Sequence, residues 1–168
     1  MTDLVAQAVA KMVEFYNGNA HYVCHFIKVH SYAATIGCLE GLDEETLTTL
    51  ELAAIVHDIA IPLCLEKYGS ADGKHQEQEG PALARKFMQE LGVDEKRTQR
   101  VEYMVGHHHT YTNVDGVDMR ILLEADFLVN ADEGHCSREA IEDARKNFFR
   151  TAAGTRLLDS MYLRENGQ

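Results

Sequence analysis

Three observations predict an all-α fold. Ala, Leu, Glu, Lys and Met dominate almost every segment, proline occurs only at positions 62 and 81, and no stretch shows the apolar-polar alternation of a half-buried strand. With 168 residues and 45% hydrophobic composition, the chain can bury one substantial core and is short for two, so a single domain over 1–168 is expected.

The spacing predicts a first amphipathic helix over residues 3 to 16, ended by Asn17-Gly18, where glycine suits a left-handed C-terminal cap. A longer helix follows over 20 to 40, stopped by Gly41. Asp43 caps the next, whose stripe Leu47, Leu50, Ala54 and Asp58 leads into the apolar stretch 52 to 65, broken by Pro62. After a polar loop over 69 to 74, a helix is expected over 76 to 91, with Gly80-Pro81 making its start irregular and Gly92 marking its end. Asp94 caps a helix over 95 to 108, and the loop 110 to 116 leads to another over 118 to 131. Ser137 caps a helix over 138 to 149. Residues 151 to 155 interrupt the pattern before a short helix over 155 to 163, whose Leu157, Leu158, Met161 and Tyr162 are expected to dock on the core.

Composition restricts the function. A formal charge of -11 repels a polyanion over most of the surface, which argues against long nucleic acid as a partner. No stretch approaches the roughly 18 to 20 uninterrupted apolar residues of a membrane span, and the N-terminal pattern is helical rather than that of a signal peptide, so a cytoplasmic protein without a membrane partner is expected. Cys24, Cys38, Cys64 and Cys136 lie singly in apolar segments without C-x-x-C spacing, and read as buried free thiols. Apolar residues on the first and last helices would either support a homodimer or complete the monomer's own core.

A few polar residues do not fit a plain core. His57 and Asp58 lie inside the apolar run LELAAIVHDIAIPLCL, where an ionised carboxylate costs several kcal/mol unless it is paired or metal-bound. A divalent cation would satisfy both; so would a hydrogen-bonded pair in which Asp58 orients His57. His30 follows Phe26 and precedes Ala33, Ala34 and Gly37 on a face of apolar and small residues, the place of a core histidine or of a ligand. Asp126 falls at the edge of the stripe Ile121, Leu122, Ala125, Leu128 and Val129, either a boundary acid or an oxygen ligand pointing inward. In the run 106 to 110, His107 reads as a helix-end histidine, whereas His108 and His109 could splay around one pocket; His75 could close over it, and His21, His25 and His135 have no such context.

The ordered set His30, His57-Asp58 and Asp126 resembles the HD-domain metal-dependent phosphohydrolase superfamily over residues 20 to 132. The resemblance implies an HD-domain-like helical bundle with a mononuclear or binuclear metal centre at its middle. It also implies that His30, His57, Asp58 and Asp126 hold the first metal, and that His108 and His109 match the paired histidines of binuclear members. Two departures are visible. The residue four before Gly80, a histidine in the binuclear pattern, is Gln76 here, with His75 displaced by one, and the Gly-Tyr-Pro of cyclic dinucleotide phosphodiesterases is missing from 115 to 119.

One or two divalent ions (Mn, Fe, Co, Ni, Mg or Zn) are therefore expected. Asp58 would orient or deprotonate water, and His108 or His109 would stabilise phosphate or protonate the leaving oxygen. The expected substrate is a small phosphorylated metabolite, a nucleotide first among them. The competing readings are a noncatalytic metal- or nucleotide-binding regulatory module, a metal-free interaction protein, and oxygenation at a di-iron site.

Overall fold

The computed structural model describes residues 2–164, and these form helices and no strand. In chain order they are α1 (Asp3–Phe15), α2 (Ala20–Leu39), α3 (Glu44–Val56), α4 (Ile61–Tyr68), α5 (Gly73–Glu90), α6 (Glu95–Val105), α7 (Val117–Glu133), α8 (Arg138–Asn147) and α9 (Ala152–Leu158), continued by one π-helical turn (Asp159–Leu163).

The starts follow local chemistry. Thr2, Asn19, Asp43, Asp72, Asp94, Ser137 and Thr151 each accept a hydrogen bond at the opening of their helix from a backbone N–H that no turn of helix can satisfy. Two starts differ from the sequence reading. Asp72 caps α5 earlier than expected, with Pro81 inside the helix, and Thr151 is a cap rather than part of an interruption.

Helices α2, α3 and α7 form the centre: α2 packs along both α3 and α7, which also touch each other, while α1 and α6 cover α3 and α5 pairs with α6. Residues 48 to 56 of α3 are all buried, as is most of α7. The segment Glu44–Tyr68 is long and apolar enough by composition to cross a membrane, but 72% of its most apolar window is buried inside the bundle.

The C-terminal segment is fastened by buried polar contacts. Glu124 of α7, fully buried, accepts the backbone N–H groups of Arg150 at 2.6 Å and Thr151 at 3.0 Å together with the Thr151 hydroxyl. Leu158 docks on the core as expected, Leu157 and Tyr162 pack at its border, and Met161 does not dock: it is 39% exposed. The thiol expectation also needs correction, because only Cys64 is buried. Cys24 and Cys38 fall one residue outside the buried pairs His25-Phe26 and Ile36-Gly37 of α2, which turns them to solvent.

Candidate metal centre

The His57-Asp58 pair lies where α3 stops. Neighbours on a helix point about 100° apart and could hardly share one pocket. Here His57 is the C-terminal cap of α3 and Asp58 lies in the turn that follows. Pro62 has no N–H to offer the Asp58 carbonyl four residues earlier. That oxygen instead accepts the N–H of Ile61 and the hydroxyl of Tyr16, the residue that caps the end of α1, both at 3.1 Å. The proline thus lets the turn aim both side chains inward.

Three imidazoles and two carboxylates converge there. His57 Nδ1–H donates to the Ala54 carbonyl at 2.9 Å and His108 Nδ1–H to the Val105 carbonyl at 2.7 Å, which leaves each Nε2 facing the pocket. His25 Nε2 lies 3.3 Å from His57 Nε2, 3.3 Å from Asp126 Oδ1 and 3.4 Å from Asp58 Oδ2. His57 Nε2 is 3.3 Å from Asp58 Oδ2 and 3.5 Å from Asp126 Oδ1. The other oxygen of Asp58, Oδ1, is 3.4 Å from His108 Nε2. His109, whose ring centre is 4.0 Å from that of His108, completes this second side. Two potential ligand groups therefore share Asp58: His25, His57 and Asp58, and Asp58, His108 and His109.

The donors fit a divalent ion. His108 Nε2, His109 Nε2 and Asp126 Oδ1 are buried with no hydrogen-bond partner among the described residues, a costly arrangement that a cation between them would relieve. Imidazole nitrogen with carboxylate oxygen is a donor set for first-row divalent metals. Burial alone would pull the His57 imidazole down and lift the Asp58 and Asp126 carboxyls. Mutual attraction wins: Asp58 and Asp126 hold His57 well above the ordinary histidine value, and the histidines hold both carboxyls well below theirs. His109 differs, pushed down to about 4 by burial and by the neighbouring His108. A neutral imidazole suits a ligand better than a proton donor.

The structure thus brings together His57, Asp58, Asp126, His108 and His109. It does not bring His30, expected as a ligand. That ring sits 3.0 Å from Glu51 of α3, on a different side of α2. Five residues separate it from His25, about 7.5 Å along the axis and about 140° around it. The buried stripe of α2 is His25, Phe26, Val29, Ala33, Ile36 and Gly37, so the place expected for His30 is taken by His25. His25 at four residues before Val29 was the available signal. The run 107 to 109 also lies beyond the helix end at Val105, and there His107 is exposed and stacked on Tyr103.

The centre opens through a cleft of about 220 Å³ lined by His25, Asp58, His109 and Asp126 of the cluster together with His21, Tyr22, Ile61, Gln76, Asn130 and Glu133, while His57 and His108 lie fully buried behind it. Gln76 is 5% exposed; its Nε2 donates to the Ala71 carbonyl at 2.9 Å, so the amide is oriented and Oε1 has no partner among the described residues. His75 stacks on Tyr68, with ring centres 4.0 Å apart, and is not among the residues lining the cleft. A larger hollow between α3 and α6, about 460 Å³, carries no such cluster, and its Arg97 and Arg100 are engaged by Asp94 and Asp118.

No curated protein matches the sequence. Among solved structures, a predicted HD superfamily hydrolase from an uncultured Thermotogales bacterium superposes with a TM-score of 0.67 over 95% of this chain and 83% of its own, at 22% identity, which establishes likeness of fold. The HD domain family matches residues 22–141, which span all five converging positions and His109, and the chain belongs to that family.

Proposed function

We propose that the protein is a metal-dependent phosphohydrolase that cleaves a phosphate ester of a small metabolite, nucleotides being the leading class. The observation that carries this reading is the double-sided Asp58, one oxygen toward His25 and His57, the other toward His108, in a pocket whose remaining donors lack partners. His25, His57, Asp58 and Asp126 would hold one divalent ion, and His108 and His109, with Asp58, a second. Such an ion, when bound, lowers the pKa of a coordinated water toward neutrality and polarises a phosphoryl oxygen.

The chain's own groups supply the rest. When only the ion of His25, His57 and Asp126 is bound, Asp58 holds it through Oδ2, so Asp58 Oδ1 is left to accept the proton of the attacking water, and Gln76 Oε1 can accept its other hydrogen. The water oxygen bonds to phosphorus as the ester P–O bond breaks, and the proton passes to the departing oxygen. His108, whose Nδ1–H is taken by the Val105 carbonyl, and His109, neutral because burial and His108 push it down, would serve as ligands of the second ion rather than as hydrogen-bond donors to phosphate. The cleft volume and the absence of lysine and arginine among its lining residues favour a compact substrate with one phosphate over a polyphosphate.

Phosphate release should be measured with metal-reconstituted protein on a panel of phosphomonoesters and diesters that includes nucleoside monophosphates. Metal-dependent turnover is expected, lost in Asp58→Ala while the far-ultraviolet helical signal persists. Metal bound without turnover across the panel would instead make the protein a noncatalytic regulatory module.

A further inference from the structure

Three of the centre's four imidazoles are held from behind, and in two ways. His57 and His108 are fixed by backbone carbonyls three residues earlier, contacts that no side-chain substitution can remove. His25 is fixed by a side chain: its Nδ1 donates to Glu133 Oε2 of α7 at 2.8 Å. Since a carboxylate can only accept here, this contact places the hydrogen on Nδ1 and frees Nε2, the atom that meets Asp58 and Asp126.

The second oxygen of Glu133 is also engaged. Lys28 Nζ reaches Oε1 at 2.6 Å. Lys28 follows His25 by three residues and so lies on the same face of α2, and Glu133 follows Asp126 by seven, two turns further on the same face of α7. Asp126 therefore meets His25 from the pocket and Glu133 meets it from behind. Glu133 itself lines the cleft, so the lysine keeps its carboxylate turned toward His25 rather than inward as another oxygen ligand.

We propose that Glu133 is the positioning residue of His25, locked in that role by Lys28, so that an ion pair at the rim of the cleft sets the metal affinity of the centre. The proposal rests on the reading of His25 as a ligand. Partners behind a ligating histidine fix its tautomer and raise its basicity, and their loss typically weakens metal binding about 10- to 100-fold.

The test is calorimetric titration of Mn²⁺ into the full-length metal-free protein, with thermal melting of the metal-free form as a second readout. Glu133→Ala should weaken Mn²⁺ binding about 10- to 100-fold. Glu133→Gln, whose amide oxygen can still accept from Nδ1, should weaken it less, and so should Lys28→Met. Melting that drops in Glu133→Ala with Mn²⁺ affinity unchanged would reduce the pair to a staple between α2 and α7 and overturn the proposal. A loss larger than that of His25→Ala would make Glu133 a ligand and overturn it too. Wild-type protein that binds no Mn²⁺, Co²⁺ or Zn²⁺ would overturn the metal centre itself, an outcome distinct from equal binding by wild type and Glu133→Ala.

Discussion

His25 and His30 show what a single sequence reveals about a residue and what it does not. Both histidines fall near apolar positions of α2, and choosing between them requires knowing which flank of the helix faces α7 and which faces Glu51 of α3. The His57-Asp58 pair needed no such knowledge, because an acid inside an apolar run demands compensation in any fold. Glu133 was not legible as a site residue, since an acid near a helix end is ordinary until tertiary contacts aim it, and Gln76 stood out only as the residue at the place of a histidine in the binuclear pattern. The charge balance of the centre predicts its pH response. In the metal-free protein burial lowers His25 and His57, but the facing carboxylates outweigh it and raise both above 6.5. A raised histidine stabilises the fold fully below its unfolded value and loses that contribution as pH rises through the folded one, whereas the lowered Asp58 and Asp126 lose theirs only in acid, below 3.8. Chelated protein should therefore melt at lower temperature as pH is raised above about 6.5, while metal affinity rises and binding releases protons. Melting curves with chelator and with Mn²⁺, recorded across that range, check this; curves that stay parallel would show that protons and metal do not compete for these rings.

At the scale of elements, helix order and most caps were readable from local chemistry: Asp43, Asp94 and Ser137 start helices because their carboxylate or hydroxyl reaches a free N–H nearby. Less legible were places where tertiary packing decides. Thr151 reads as an interruption until Glu124 is seen gathering its N–H and hydroxyl, and the first turns of α5 are met by the histidine turn, with Glu77 accepting from the His109 N–H and the Thr110 hydroxyl. That contact gives Gly73 a specific role. A Cβ on Gly73 would lie 2.6 Å from His109 Cγ and 2.8 Å from its Cβ, so the ring occupies the space a side chain would need. Gly73→Ala should displace His109 and weaken the Asp58–His108–His109 side while sparing His25, His57 and Asp126. Alanine favours a helix over glycine by about 1 kcal/mol, so helicity should not fall. Elemental analysis of metal per chain, with circular dichroism as control, reads this out; wild-type metal content and unchanged turnover would mean that His109 lies outside the centre.

For the whole molecule, the centre acts as a junction. Its donors come from α2, the turn after α3, the turn after α6, and α7, and so from the three central helices and the α5–α6 pair that closes over them. A metal-free interior keeps like-charged carboxylates and unpartnered nitrogens together at the point where these elements meet. An ion that binds only the folded form stabilises it by mass action, about 2.7 kcal/mol at 100 times its dissociation constant. For a chain of this size each kcal/mol moves the melting temperature by about 2 to 4 °C, so chelation should lower it by about 5 to 10 °C. Because the junction ties elements distant in sequence, the loss should not be confined to one loop. Amide exchange on chelation should speed up together in α2, α7 and the end of α3, and less in α8 and α9, which contribute no donor. His57→Ala should show little further change on chelation in either measurement. If chelation leaves the wild-type melting temperature and exchange pattern unchanged, the convergence of His25, His57, Asp58, Asp126 and His108 is a metal-free ion-pair core, and the phosphohydrolase reading falls with it.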